Sequence, residues 1–493
     1  MCGIVGMVGS GPVNQEIYDS LLLLQHRGQD ATGIATAEPS GVMHSHKAGG
    51  MVREAFRTRD MRSLLGNVGL GHVRYATKGT ASSEEEAQPF YVNAPYGITL
   101  IHNGNLTNTR ELTVDMAQRD RRHLNSSSDT ELLVNVLANE LQSTRSSVDL
   151  EPDRIFSAVT RVHERVEGAY AAIALIAGYG LLAFRDPFGI RPLILGRRTR
   201  EDGRDDWVVA SESLVLENAD YEVVRDVAPG EAVYITTEGE LHIRQCAADP
   251  RLRPCSFEYV YLARPDSVMN GISVYESRLR MGEKLAKTIA KHTPEGAIDV
   301  VMPIPDSARP AAMEVARVLG IEYREGFYKN RYVGRTFIMP GQAVRKKSVR
   351  QKLNAMSTEF RGKNVLLIDD SIVRGTTSRQ IIEMARAAGA KSVTFASAAP
   401  PVRYPHVYGI NMPSRHELIA HGRTIPEIAE ELGCDHLVYQ EVEDLRDAIL
   451  EGCESDEERA RFDDMDLSPF DGRYVTGTVS DEYLAWVESN QES

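Results

Sequence analysis

Cysteine is scarce in this chain: Cys2, Cys246, Cys255, Cys434 and Cys453 are five thiols in 493 residues, an odd number with no Cys-x-x-Cys pair. That usage excludes a disulfide framework and points to reduced thiols in a cytoplasmic protein. Positive charge is the minority sign, 56 Lys and Arg against 70 Asp and Glu for a formal −14. Nucleic acid and anionic membrane are therefore not expected as partners, because their binders concentrate cationic side chains to displace counterions. The N-terminus lacks the charged and apolar regions of an export signal. One uncharged run approaches the length of a membrane span, Gly168 to Phe184, but Gly178 and Gly180 interrupt it and Arg185-Asp186-Pro187 follows, so it reads as two buried strands joined by a tight turn. Low-complexity tracts and internal repeats are missing too, and disorder is expected only at the acidic C-terminal end.

What is present suits a globular protein of several cores. Hydrophobic residues make up 42% and charged residues 26%, and at about 100 to 200 residues per domain the length predicts two to four units. Short strand-like runs with turn residues between them dominate the first half: Ile4-Val5, Gly69 to Val73, Ile98 to His102, Tyr170 to Ala177, Leu181 to Phe184 and Glu231 to Ile235. Helical patterns occupy Gln15 to Gln25 and Asp129 to Leu141. An α+β layered unit over 2–250 is expected, with Ala247 to Pro254 as linker. The second half alternates apolar runs (Asp299 to Ile304, Asn364 to Ile368, Ser392 to Ala396) with amphipathic windows (Ala311 to Leu319, Thr377 to Ala388), the pattern of βαβ units and a mainly parallel sheet. This predicts an α/β domain over 258–465, with 466–493 as a tail. Glu441 to Asp466 reads as a solvated acidic helix face.

Cys2 stands out because removal of Met1 places a thiol and a free α-amine on one residue. With an amine pKa of about 7.7 to 8.0 and a thiol pKa of about 8.5, the amine can take the thiol proton near neutral pH, so Cys2 is a nucleophile with its own base. An amide substrate would also need oxyanion donors and groups for its own charges. His102-Asn103-Gly104-Asn105 ends a strand with a side-chain amide followed by a flexible backbone N–H, an oxyanion pair. Arg74, ending Gly71-His72-Val73-Arg74, can fork onto a carboxylate. Asp129 opens a helix, where it is either an N-cap or the acceptor of an amino group.

A second constellation is Val365-Leu366-Leu367-Ile368-Asp369-Asp370-Ser371-Ile372-Val373-Arg374-Gly375-Thr376-Thr377-Ser378. A buried strand delivers two acids at its carboxyl end, and a loop of Gly and hydroxyl residues then opens a helix, whose free N–H groups and dipole favour a phosphate. The acids can hold ribose hydroxyls and Mg²⁺.

Taken with Met1-Cys2-Gly3-Ile4-Val5-Gly6 and Leu24-Gln25-His26-Arg27-Gly28-Gln29-Asp30, the first set of motifs resembles the glutaminase domain of N-terminal-nucleophile amidotransferases. The second resembles the phosphoribosylpyrophosphate site of type I phosphoribosyltransferases. Both, in this order over nearly the whole chain, resemble the glutamine phosphoribosylpyrophosphate amidotransferase family. Tyr261-Leu262-Ala263-Arg264-Pro265-Asp266-Ser267 and Ala183-Phe184-Arg185-Asp186-Pro187 extend the similarity. The resemblance implies an N-terminal-nucleophile sandwich followed by a type I phosphoribosyltransferase domain. It also implies a glutamyl thioester at Cys2, an oxyanion held by Asn103 and Gly104, and glutamine's carboxylate and amine on Arg74 and Asp129. Ammonia would pass internally to C1 of phosphoribosylpyrophosphate, displacing diphosphate to give 5-phosphoribosylamine, the first step of de novo purine synthesis. Arg374, Gly375, Thr376, Thr377 and Ser378 would bind that substrate, and Ser307 would join Asp369 and Asp370 around one Mg²⁺ per subunit. Lys329, Arg331 and Tyr332 would belong to a loop that closes over the site. Purine nucleotides are implied as feedback inhibitors, with part of the basic run Arg345-Lys346-Lys347, Arg350 and Lys352 for their phosphates, and a homotetramer as the assembly.

Some family members carry a propeptide and a four-cysteine iron–sulfur cluster. In this sequence Cys2 directly follows Met1. Only Cys255 matches a cluster ligand, His406 takes the place of a second, and Leu467-Ser468-Pro469-Phe470 lacks the terminal pair, so no cluster is expected. Two rivals are weighed. Glucosamine-6-phosphate synthase shares the glutaminase domain but not the motif at Asp369. A phosphoribosylpyrophosphate-sensing regulator would need a basic DNA-binding module and a degraded nucleophile site, and neither is present.

Overall fold

Alternation within single strands builds the first half. In the strand Gly168–Ile176 all nine residues are buried, with Tyr170, Ala172, Ala174 and Ile176 in one core and Ala171, Ile173 and Leu175 in another. A strand apolar on both faces is one covered on both sides, and Gly180–Arg185 repeats the pattern after a short turn. In this computed structural model, which describes residues 2–75, 86–143, 150–330, 353–410, 412 and 414–491 (side chains to 489), the uncharged run is thus a hairpin in a sandwich. No described helix is long and apolar enough to cross a membrane.

Two antiparallel sheets form that sandwich. One runs Glu222–Asp226, Ile194–Thr199, Asp205–Ala210, Gly3–Val8, Val68–Arg74, Ala31–Ala37 and Met43–Gly49 in spatial order. The other runs Leu241–Gln245, Glu231–Thr236, Gly180–Arg185, Gly168–Ile176, Ile98–Leu106 and Phe90–Val92. Ile4, Leu70, Ile101 and Ile173 meet between them. Helix Asn14–Leu23 covers the first sheet through Ile17 and Leu21. Helices Asp129–Ser143 and Pro152–Arg165 cover the second. Sequence periodicity missed several strands, Met43–Gly49 among them, because an edge strand with half-exposed His and Lys carries no continuous apolar face.

The second half is a five-stranded parallel sheet, ordered Glu322–Tyr323, Val300–Pro303, Asn364–Asp369, Ser392–Ser397 and His436–Tyr439. Helices Val274–His292 and Arg309–Leu319 cover one face through Leu285, Ile289, Ala312 and Val315. Helix Thr376–Ala387 covers the other through Ile381 and Ile382.

The acidic segment differs from the expected solvated face. Helix Val442–Leu450 buries Leu445, Ala448, Ile449 and Leu450, and Asp466 is fully enclosed. Nor is the C-terminal end disordered through 489: Leu467, Phe470, Val475 and Leu484 join a core with Phe257 and Tyr408, and Phe470 stacks on Phe257 with centroids 5.3 Å apart. Apolar residues spaced along an otherwise acidic stretch supply enough buried area to order it.

Candidate active site

Register places the first set of residues. Gly3 pairs with Val73, so Cys2 and Arg74 emerge together at the same end of two neighbouring strands. Asn103 and Gly104 lie on the facing sheet, in Ile98–Leu106. Asn103 Oδ1 accepts the Cys2 backbone N–H at 3.3 Å, while its Nδ2 is buried and has no hydrogen-bond partner among the described residues. Leaving a buried amide donor unmade costs about 1–3 kcal/mol, which marks Nδ2 as a donor awaiting an acceptor. The Cys2 thiol is nearly buried and lies 3.9 Å from the Tyr75 carbonyl.

A cavity of about 40 Å³ joins Cys2 to Arg74, Glu86, His102, Gly104 and Asp129. Arg74 Nη2 is 2.6 Å from Glu86 Oε2, and Ser127 Oγ donates to the other Glu86 oxygen at 3.0 Å. Asp129 is the first residue of helix Asp129–Ser143; its Oδ2 accepts the Leu106 N–H at 3.1 Å, tying the helix start to the strand that carries Asn103. Burial lowers the pKa of His102 and lowers that of His72 well below the usual imidazole range, so both rings are neutral at pH 7. Glu86 escaped the sequence reading, since nothing in its spacing distinguishes it from Glu84 and Glu85.

The second set gathers at the carboxyl ends of two adjacent parallel strands, Val300–Pro303 and Asn364–Asp369. Asp369 and Asp370 are both buried. Ser307 Oγ donates to Asp370 Oδ2, Ser371 Oγ donates to Asp370 Oδ1 at 2.6 Å, and the Asp370 N–H reaches Asp369 Oδ1 at 3.0 Å. Burial pushes both carboxyl pKa values up; at Asp369 the charge of Asp370 adds to it, and at Asp370 the two serine hydroxyls oppose it. Two enclosed acids with hydroxyl oxygen beside them form an all-oxygen donor set of the kind a hard divalent cation takes.

Gly375 turns the chain into helix Thr376–Ala387 with φ 73°, and a Cβ there would sit 2.3 Å from Ile419 Cδ1. Thr376 and Thr377 are exposed at the helix start and Ser378 is buried. Arg374 reaches Glu417 at 3.3 Å, and Lys329 Nζ lies 2.7 Å from Asp306 Oδ2, on the loop after Val300–Pro303. Arg331 and Tyr332 lie outside the described residues, as does the run from Arg345 to Lys352.

A nucleophile pocket in an antiparallel sandwich, joined to a parallel sheet with an acid pair before a Gly-initiated helix, defines a glutamine amidotransferase fused to a phosphoribosyltransferase. Comparison with known proteins agrees. Residues 72–218 match a glutamine amidotransferase domain and residues 274–407 a phosphoribosyl transferase domain. The chain is 57% identical to an amidophosphoribosyltransferase of Pseudomonas aeruginosa, covering 99% of this chain and 95% of that protein. It is 55% identical to that of Escherichia coli, with the same coverage. A solved structure, glutamine phosphoribosylpyrophosphate amidotransferase from B. subtilis complexed with ADP and GMP, superposes with a TM-score of 0.83 at 35% identity, covering 97% of this chain and 98% of that one. The chain belongs to the amidophosphoribosyltransferase family. Phosphoribosyltransferases of this kind typically use a divalent metal.

Proposed function

We propose that this chain hydrolyses glutamine at Cys2 and passes the ammonia to C1 of phosphoribosylpyrophosphate, yielding 5-phosphoribosylamine, glutamate and diphosphate. The observation that carries the reading is the buried Nδ2 of Asn103 beside Cys2, without a partner among the described residues.

Once Met1 is removed, the Cys2 α-amine accepts the thiol proton as sulfur attacks the glutamine amide carbon. Asn103 Nδ2 and the Gly104 N–H receive the charge that develops on the carbonyl oxygen. The C–N bond then breaks, the departing nitrogen takes the proton back, and ammonia leaves a thioester that water hydrolyses to glutamate. Arg74 holds the substrate carboxylate in exchange for Glu86, and Asp129 holds the amine. In the second domain Gly375, Thr376, Thr377 and Ser378 cradle the 5-phosphate at the helix start, where backbone N–H groups have no helical partner. Arg374, with Lys329, Arg331 and Tyr332, completes the substrate contacts. Asp369, Asp370 and Ser307 would hold Mg²⁺, one ion per chain, which when bound offsets charge on the leaving diphosphate.

No iron–sulfur cluster belongs to this reading. Among the described residues Cys255 is the one thiol in the group it forms with His406 and Asp466, and such a cluster needs several. His406 and Asp466 accompany it there, 3.6 Å from its sulfur to the ring and 2.9 Å from ring to carboxylate. Iron and acid-labile sulfide at one cluster per chain would refute this. The proposed organisation is a glutaminase domain over 2–250, a phosphoribosyltransferase domain over 258–465 and a C-terminal segment over 466–493, assembled as a cytoplasmic homotetramer. Purine nucleotides serve as inhibitors, as the ADP and GMP in the B. subtilis relative suggest.

The deciding measurement is diphosphate release with glutamine or with ammonium as nitrogen source, for the native protein and Cys2→Ala. The variant is expected to lose the glutamine reaction and keep the ammonium reaction. Loss of both, or of neither, sinks the two-site reading.

A further inference from the structure

The strand that carries Asn103 and Gly104 does not end in its own domain's surroundings. A Cβ built on Gly409, a residue of the second domain, would lie 2.7 Å from both the carbonyl carbon and the oxygen of Gly104, and 2.9 Å from its Cα. The two glycine backbones are therefore in direct contact, with no side chain between them. On the other side of Gly104, a Cβ would meet the Ala169 carbonyl at 2.0 Å. Gly104 is clamped between its own sheet and a loop from the phosphoribosyltransferase half.

That loop is pinned at three points around Gly409. Asn105 Nδ2, one residue past Gly104, donates to the Val407 carbonyl at 2.8 Å. Arg191 Nε donates to the Tyr408 carbonyl at 2.7 Å, and Arg191 is in turn held by Glu258 at 3.1 Å. His406 Nδ1 accepts the N–H groups of Tyr408 at 3.3 Å and Ile410 at 3.4 Å. With Nδ1 an acceptor, the ring proton sits on Nε2 and is donated to Asp466 Oδ2. Gly409 needs its freedom here, since φ is +102°.

We infer that Gly409, held by Asn105, Arg191 and His406, is a positioning residue for the oxyanion donor at Gly104, so that the phosphoribosyltransferase half sets the geometry of the glutaminase half. The inference rests on the assignment of Asn103 and Gly104 as oxyanion donors. Such donors act only when aimed at the place where charge develops, and a displacement near 1 Å costs about 10²-fold. A methyl group on Gly409 cannot be absorbed by a flexible side chain, because what it meets is backbone. It must push Gly104 or tear the loop from its three anchors.

The test compares native protein, Gly409→Ala, Asn105→Asp and Cys2→Ala in glutamine-dependent and ammonium-dependent diphosphate release. Asn105→Asp keeps the volume but sets a carboxylate oxygen against the Val407 carbonyl. Both positioning variants are expected to lower kcat with glutamine by about tenfold or more, to leave the glutamine KM within about threefold, and to leave the ammonium reaction unchanged. Native kcat with glutamine in both variants overturns the inference. Parallel loss of the glutamine and ammonium reactions in both also overturns it, since the loop would then be merely structural. Glutamine turnover by Cys2→Ala would instead bring down the underlying site assignment.

Discussion

At the scale of single residues, the glutaminase pocket is organised by what has no partner. Asn103 uses its oxygen on the Cys2 N–H and leaves its buried nitrogen without a partner among the described residues. Asn103→Asp keeps the acceptor, removes the donor and adds charge of the wrong sign. It is expected to cut kcat for glutamine by about 10²–10³, the usual cost of one oxyanion donor, while ammonium-dependent turnover stays native. Steady-state kinetics with both nitrogen sources checks it. Arg74 is organised the opposite way, already paired with Glu86 through a 2.6 Å contact that a substrate carboxylate would replace in the proposed reaction. The sequence made Cys2, Arg74 and Asp129 legible as candidates because each stands at the end of an element, whereas Asn103 and Gly104, expected to close a strand, lie inside Ile98–Leu106, which runs on to Leu106 because it pairs along its whole length with Gly168–Ile176. Glu86 and Gly409 were not legible, since their importance lies in what they touch across the fold.

Among the elements, the start of helix Thr376–Ala387 is where stability and the proposed substrate contacts meet. Gly375 adopts φ 73° and abuts Ile419 and Leu432, so Gly375→Ala introduces both backbone strain and a clash. A loss of about 1–3 kcal/mol is expected from such strain, read as a lowered denaturation midpoint, together with a raised KM for phosphoribosylpyrophosphate. The neighbouring strand end responds to a ligand instead. Burial raises the Asp369 and Asp370 pKa values, and at Asp369 the charge of Asp370 adds to it; a divalent ion bound there would relieve that cost. Mg²⁺ together with phosphoribosylpyrophosphate, at about a hundred times the dissociation constant, is expected to stabilise the protein by about 2.7 kcal/mol. A thermal melt with and without chelator measures it, and the gain should vanish in Asp370→Asn. The parallel strands and their helices were legible as alternating apolar runs; the edge strands, polar on one face, were not.

Across the whole molecule, a buried charge network joins the two halves. Glu212 in the first domain contacts Arg27 and His26 and accepts from Ser267 Oγ at 2.6 Å and from the Arg264 N–H at 3.0 Å. Arg27 and Arg191 share Glu258. Burial alone would raise the Glu212 pKa, but Arg27 and then His26 outweigh it and hold the carboxyl well below its usual range. A depressed acid contributes stability that is complete above its unfolded pKa of about 4.3 and fades as pH falls below that value toward the folded one. Unfolding free energy is therefore expected to drop as pH is lowered from about 5. Glu212→Gln should flatten that slope while costing about 3–5 kcal/mol at neutral pH, because it strands Arg27 without one of its counter-charges. Denaturant titrations at several pH values test both statements.

The linear sequence by itself determined the composition class, the order of a layered α+β half and an α/β half, the mainly parallel sheet of the second, and two sets of candidate residues. These properties follow from local periodicity and from motifs whose members lie within one turn or strand end of each other. Only the tertiary structure decided that Asn103 leaves a donor unpaired, that Glu86 faces Arg74, that residues 466–489 fold into the core, and that Gly409 closes against Gly104. Each of these depends on how elements pack against one another in three dimensions, and the last two join segments far apart in the chain. Such contacts arise from the docking of whole sheets and loops, whose register no single stretch of sequence encodes.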